Sequence, residues 1–228
     1  MDPSQLIESL TALVGADKVS GEGSDIEEHS IDKWLVGHPP DAVVFAESTE
    51  DVVAVMKFSH QEGVPVTTRG AGVGYVGGAV PVRGGIVLSV ARMNSIKEIN
   101  IEDGVAVVGS GLITGTLQDA TRDLGWFYPP DPASLEECSI GGNVATNAGG
   151  PRCLKYGVTR NYILGLEVVL ADGTVARLGG RCHKNKTGFD LIGMFVGSEG
   201  LLGIVTEVTC RLIPYPPARA MVSATFET

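Results

Sequence analysis

Cysteine is scarce and scattered in this chain. Cys138, Cys153, Cys182 and Cys210 form no C-x-x-C pair, so no zinc knuckle or disulfide framework is indicated and reduced thiols are expected. Cys182 and His183 are adjacent, but further ligands at a metal-binding spacing are missing. Positive charge is also in short supply: 17 Lys and Arg face 27 Asp and Glu, for a formal net charge of −10. That balance excludes broad nucleic-acid binding, which needs a basic face to displace counterions from phosphates. It does not exclude a phosphorylated cofactor, because backbone N–H groups hold a pyrophosphate whatever the net charge. No apolar run approaches the roughly 20 residues that span a bilayer. The opening MDPSQLIESLTALVG carries acidic residues and reads as an amphipathic helix, not a secretory signal.

Glycine, in contrast, is plentiful, with 31 residues that follow no collagen period or simple repeat. With 43% hydrophobic residues, the 228-residue chain can bury a sizeable core as one large domain or two small lobes around a shared ligand.

The pattern predicts an α+β chain of two lobes. Leu6, Leu10, Leu13 and Val14 share one face of a first helix. AVVFAE (42–47) reads as a strand, and STEDVVAVMKFSHQEG as a helix capped by Ser48 or Thr49 and ended by Gly63. VPVTT and GIVLSV are strands on either side of a glycine loop. Asp103-Gly104 and Asp172-Gly173 mark two hairpins. TGTLQDATRDLG and FDLIGMFVG read as helices and GIVTEVTCRLIP as a final strand, with a seam between the lobes expected near residues 104 to 111.

The loop TTRGAGVGYVGGAV contains Gly72, Gly74 and Gly77 in the spacing G-x-G-x-x-G. A Rossmann turn would start a helix at the third glycine, so that the helix N-terminus faces the pyrophosphate. Here Gly78-Ala79-Val80-Pro81 follows, then Arg83-Gly84-Gly85, and no helix can be built from that composition. Glu98 falls about twenty residues on, where the fingerprint wants its ribose-binding acid, but an acid at that distance is a common coincidence. What remains is a strand followed by a nearly side-chain-free loop. Its N–H groups can form an anion nest, with Arg69 at its mouth to add a positive charge. On this loop alone, a flexible glycine turn joining two strands explains the residues equally well.

Two further stretches tip the balance. PPDPASLEECSIGGNVATNAGG (129–150) places Gly141 and Gly142 before a short helical segment, with Asn143, Thr146 and Asn147 offering amide and hydroxyl groups. GSEGLLGIVTEV carries Gly197, Gly200 and Gly203 directly before a strand. Three bare-backbone sites in one chain indicate a long ligand with an extended contact path.

RGAGVGYVGGA, PPDPASLEECSIGGNVATNAGG, CLKYGVT, GLEVVLADG and FVGSEGLLGIVTEVTCRLIP, in this order, closely resemble the FAD-binding (PCMH-type) domain of vanillyl-alcohol-oxidase-like flavoproteins. The nearest branch looks like the D subunit of bacterial glycolate oxidase and related FAD-linked D-2-hydroxyacid dehydrogenases. The resemblance implies FAD between two lobes. Arg69, Gly70, Ala71, Gly72, Val73, Gly74 and Tyr75, with Gly77 and Gly78, would form the pyrophosphate loop. Pro130, Asp131, Ser139, Gly141, Gly142 and Asn143 would line the flavin and its ribityl chain, and Thr146, Asn147, Ala148 and Gly149 would continue that wall. Glu199, Gly200, Gly203, Ile204 and Val205 would add backbone contacts, with Tyr156 and Gly157 as further candidates. Relatives that tether flavin covalently through this loop carry His where Val73 stands, so noncovalent binding is expected. Close relatives often have Thr there, so Val73 also removes one hydroxyl contact.

The same resemblance divides the chain into an N-terminal helical segment (1–40), an FAD-binding domain (41–215, lobes about 41–105 and 106–215) and the start of a cap domain (216–228). It implies oxidation of a 2-hydroxy acid, of glycolate or D-lactate type, with the substrate half and catalytic His belonging to the cap and a C-terminal segment. His29, His38, His60 and His183 are the histidines of this chain, and none sits in a motif. An iron–sulfur or other flavin subunit is the implied partner, and the cytoplasm, or the periphery of the inner membrane within a complex, the implied location. The alternatives are a flavin subunit of another oxidoreductase complex and a flavin-free scaffold that only holds partners.

Overall fold

A computed structural model describes residues 2–218 and 220–226. The first helix, α1 (Pro3–Val14), is capped by the Asp2 carboxylate and buries Leu6, Leu10 and Val14, spaced four residues apart on one stripe. Leu13, expected on that stripe, lies at its margin and is about half exposed. A two-residue strand, β1 (Val19–Ser20), and a short helix, α2 (Gly23–His29), follow. After β2 (Ala42–Phe45), Ser48 begins α3 (Thr49–Glu62) through a reciprocal capping box with Asp51, and Gly63 ends it in the left-handed conformation. Val52, Val55 and Met56 form the buried face of α3. Strands β3 (Val66–Arg69) and β4 (Ile86–Ser89) lie parallel to each other and to β2, giving a first sheet of order β1-β2-β4-β3 with β1 antiparallel. Every residue of the central strand β4 is buried, as expected for a parallel strand covered on both sides.

The second sheet is antiparallel. It begins with the hairpin of β5 (Ile96–Asn100) and β6 (Val105–Gly109), turning at Asp103-Gly104 with Gly104 at φ +63°. Helix α4 (Thr114–Arg122), the two-residue β7 (Trp126–Phe127), and helices α5 (Ile140–Thr146) and α6 (Cys153–Tyr156) precede the hairpin of β8 (Ile163–Val169) and β9 (Val175–Gly179). After α7 (Leu191–Phe195), strand β10 (Ile204–Arg211) inserts between β6 and β8, giving the order β5-β6-β10-β8-β9. Ile204, Thr206, Val208 and Cys210 alternate inward along β10. The expected final strand is thus two pieces, because β11 (Ile213–Pro214) leaves the sheet to pair with β7.

The chain passes from the first sheet to the second between Ser89 and Ile96, so the seam lies before the β5–β6 hairpin and not within it, at 104–111. Asp-Gly marked the hairpin turn, and both of its strands belong to one sheet. Residues 2–40 are built into the first lobe: β1 pairs with β2, and Lys18 forms an ion pair with Asp51 at 2.9 Å. The core has two clusters. Val169 and Ile204 come from the second sheet yet are buried in the cluster of the first, so apolar packing joins the lobes. Residues 218 and 220–226 carry no regular element; Arg219, Glu227 and Thr228, in the segment expected to begin a cap, lie outside the described residues. No helix among the described residues is long and apolar enough to cross a membrane.

Candidate cofactor groove

Between the two sheets runs a groove of about 480 Å³, within the usual range for a small-molecule site. Three backbone segments converge on it: residues 70–80 after β3, residues 138–148 around α5, and residues 198–205 leading into β10. Their meeting requires glycine. A Cβ on Gly70 would lie 2.5 Å from Ser139 Oγ, and one on Gly141 would lie 2.7 Å from Ser110 Cβ. The first approach brings the loop against α5, and the second seats α5 on the turn after β6.

Ser139 is the N-cap of α5, its Oγ accepting from Gly142 N at 3.3 Å. Gly197 N donates to Val144 O at 2.9 Å and Glu199 N to Ala145 O at 2.8 Å, so the third segment hydrogen-bonds to the last turn of α5. Gly200 at φ +76° and Gly203 at φ +158° then swing the chain into β10.

Most residues singled out from the sequence line this groove. They are Gly70, Ala71, Gly72, Val73, Gly74, Gly77 and Gly78 on one side, and Ser139, Gly141, Gly142, Asn143, Thr146 and Ala148 on a second. Glu199, Gly200, Gly203, Ile204 and Val205 complete it. Six do not line it. Tyr75 points outward and is largely exposed. Pro130 and Asp131 face another way: the Pro130 carbonyl accepts from Gln118 Nε2, and Asp131 pairs with Arg152 at 2.9 Å. Asn147 accepts from Arg160 N, and Gly149 packs near Cys153. Tyr156, a further candidate, accepts at its carbonyl from Tyr162 Oη. The sixth is Arg69, expected at the loop mouth. Its guanidinium is buried, donates to Ile31 O at 2.6 Å, and fills the space beneath Gly72, so a Cβ there would collide with it.

Among the described residues, no cationic side chain lines the groove. The charged residues of its described lining are Asp32 and Glu199. Asp32 was not singled out from the sequence. Its one local signal is an Asx turn, with Oδ1 accepting from Trp34 N at 2.9 Å. The described lining therefore offers an anion main-chain N–H groups and hydroxyls, not cations. The N–H groups of Gly72, Val73, Gly74, Tyr75 and Val76 have no acceptor among the described residues, although the loop is held in place. A run of unpaired N–H groups on a glycine-rich loop bordering a concavity is the donor set a diphosphate needs.

Two polar side chains of α5 are already committed. Buried Asn143 donates from Nδ2 to Thr114 Oγ1 at 2.7 Å, and Thr146 Oγ1 donates back to Gly142 O at 3.0 Å. None of the four histidines lines the groove: His29 is buried against Phe45, and His38, His60 and His183 are on the surface. Among the described residues no group of three or more His, Cys, Asp or Glu could hold a metal ion.

Residues 40–179 match the model of the FAD binding domain family. The chain belongs to that family, and FAD is its cofactor. It is 45% identical over 188 residues to "Glycolate oxidase subunit GlcD" of Bacillus subtilis, covering 82% of this chain and 40% of that protein. It is 43% identical over 186 residues to a D-lactate dehydrogenase of Archaeoglobus fulgidus, covering 82% and 42%. Among solved structures, an alkyldihydroxyacetonephosphate synthase superposes with a TM-score of 0.84 at 25% identity, covering 94% of this chain and 41% of the other. The chain thus spans less than half the length of the relatives it matches. Its groove fits the family's cofactor on its own geometry, through bare glycine approaches and unpaired N–H groups.

Proposed function

We propose that this chain is the FAD-holding part of an oxidoreductase that converts a 2-hydroxy acid, of glycolate or D-lactate type, to the 2-oxo acid. The observation that carries the reading is the row of N–H groups from Gly72 to Val76 that lack an acceptor among the described residues, in a loop lining a groove where no described residue is cationic. Names of relatives at 43–45% identity support the substrate class. Bound FAD supplies the acceptor for a hydride equivalent.

This chain's residues bind and orient. Loop 70–78 would hold the diphosphate through main-chain donors. The backbone of 139–148 and 199–205 would line the remaining length of the groove, and Val73 leaves no nucleophile for covalent attachment. Groups that bind the substrate carboxylate and take the hydroxyl proton are assigned to other parts of the full-length enzyme, since among the described residues neither a His nor a cationic side chain lines the groove. A second subunit, of iron–sulfur or flavin type, and a cytoplasmic or membrane-peripheral location accompany this reading.

Titration of the purified chain with FAD, followed by flavin fluorescence and absorbance, tests the first half. Saturable binding, with free FAD released on denaturation, is expected; an unchanged flavin signal would remove the reading. Added glycolate or D-lactate should reduce the bound flavin of this chain slowly or not at all. Rapid bleaching would show that the substrate chemistry resides here.

A further inference from the structure

The glycine loop is fixed in shape yet makes few hydrogen bonds of its own, so its anchor must lie elsewhere. That anchor is the segment Ile31–Lys33, which precedes the residues matching the family model. Ile31 O accepts from Arg69 at the start of the loop, at 2.6 Å. Lys33 N donates to Gly74 O at its middle, at 3.0 Å. Asp32 Oδ2 accepts from Gly77 N near its end, at 2.8 Å.

Only Asp32 does this with a side chain. It is 4% exposed, and its two oxygens serve two N–H groups, Gly77 with Oδ2 and Trp34 with Oδ1. An Asn would supply one acceptor and turn its NH₂ toward the other donor, so the carboxylate suits this place better than its amide.

Resting on the proposed FAD reading, we infer that Asp32 is the positioning residue of the diphosphate loop. It fixes the Gly77 end so that the N–H groups of residues 72–76 stay aimed into the groove. It acts through the loop and takes no part in the chemistry.

The test compares wild-type chain with Asp32→Ala and Asp32→Asn by FAD titration, by competition with ADP, and by amide hydrogen exchange without ligand. The Ala variant is expected to bind FAD and ADP about tenfold or more weakly, the scale of a lost hydrogen bond to a charged group. Exchange should quicken at Lys33, Trp34, Gly77 and Val80, the hydrogen-bonded amides that join the anchor to the loop, with β8 and β10 unchanged. Asn should fall between Ala and wild type. If Ala does not fold, the Asn variant carries both readouts, and weakened FAD binding with faster exchange confined to these amides is the supporting result.

Variants that bind FAD within about twofold of wild type, with exchange at these amides unmoved, would overturn the inference. So would faster exchange across the whole chain, which marks general destabilisation. A wild-type chain that ignores FAD would refute the cofactor reading instead, and the exchange data alone would then decide whether Asp32 fixes the loop.

Discussion

Thr49, in the first turn of α3, donates its hydroxyl to the Glu167 carboxylate of β8 at 2.7 Å. The bond runs from the first lobe to the second. Glu167 is buried and also accepts from Thr206 at 3.0 Å and Arg177 at 2.7 Å. Burial pushes its carboxyl up, but the hydroxyls of Thr49 and Thr206 and the Arg177 guanidinium outweigh that and hold it below the ordinary carboxylate value.

Thr49→Val should therefore remove one charge-assisted bond while keeping shape, at a cost of about 1.5–3 kcal/mol in urea unfolding. A change near zero would show that Thr206 and Arg177 suffice to hold Glu167.

Gly141→Ala should destabilise the chain by about 1–3 kcal/mol. The new methyl meets Ser110 Cβ at 2.7 Å and Ser110 O at 2.9 Å, so backbone must shift. Gly74→Ala is the control: nothing lies within 4 Å of its Cβ, and a change of no more than about 0.5 kcal/mol is expected. Thermal melts of the two proteins side by side make the comparison.

His29 gives the fold a pH dependence of its own. Its Nδ1 donates to Asp25 O at 2.9 Å, while burial, together with the nearby Arg69 charge, holds the imidazole below its ordinary value of 6.5. The unfolded chain binds that proton more readily. Stability is therefore full above the ordinary value and is lost as pH falls through the lower folded value. Urea unfolding should show the decline between 6.5 and the carboxylate region near 4.5, and His29→Gln should flatten it there. An identical decline in the variant would assign it to other groups.

Local chemistry was legible in the sequence. Ser48 and Gly63 bracket α3 because capping acts within one turn, and Asp103-Gly104 and Asp172-Gly173 fold back on their own strands. The groove was legible as bare backbone, since glycine at a close approach leaves its mark in composition. What escaped depends on distant partners. Arg69 stands beside the loop in sequence but turns toward Ile31, and no local rule states where a long side chain will end. Asp32 lies 45 residues before Gly77 and resembles an ordinary turn aspartate. The seam was misplaced because a hairpin signal says which strands pair, not which sheet receives them.

Two of the three groove segments are bolted to each other, since Gly197 and Glu199 hang on the final carbonyls of α5. The glycine loop touches that assembly at Gly70 and Ser139 and is otherwise moored to the opposite lobe. The groove thus works as a vice with one fixed face and one seated jaw. The jaw is held at three points by Ile31–Lys33, through Arg69, Gly74 and Gly77.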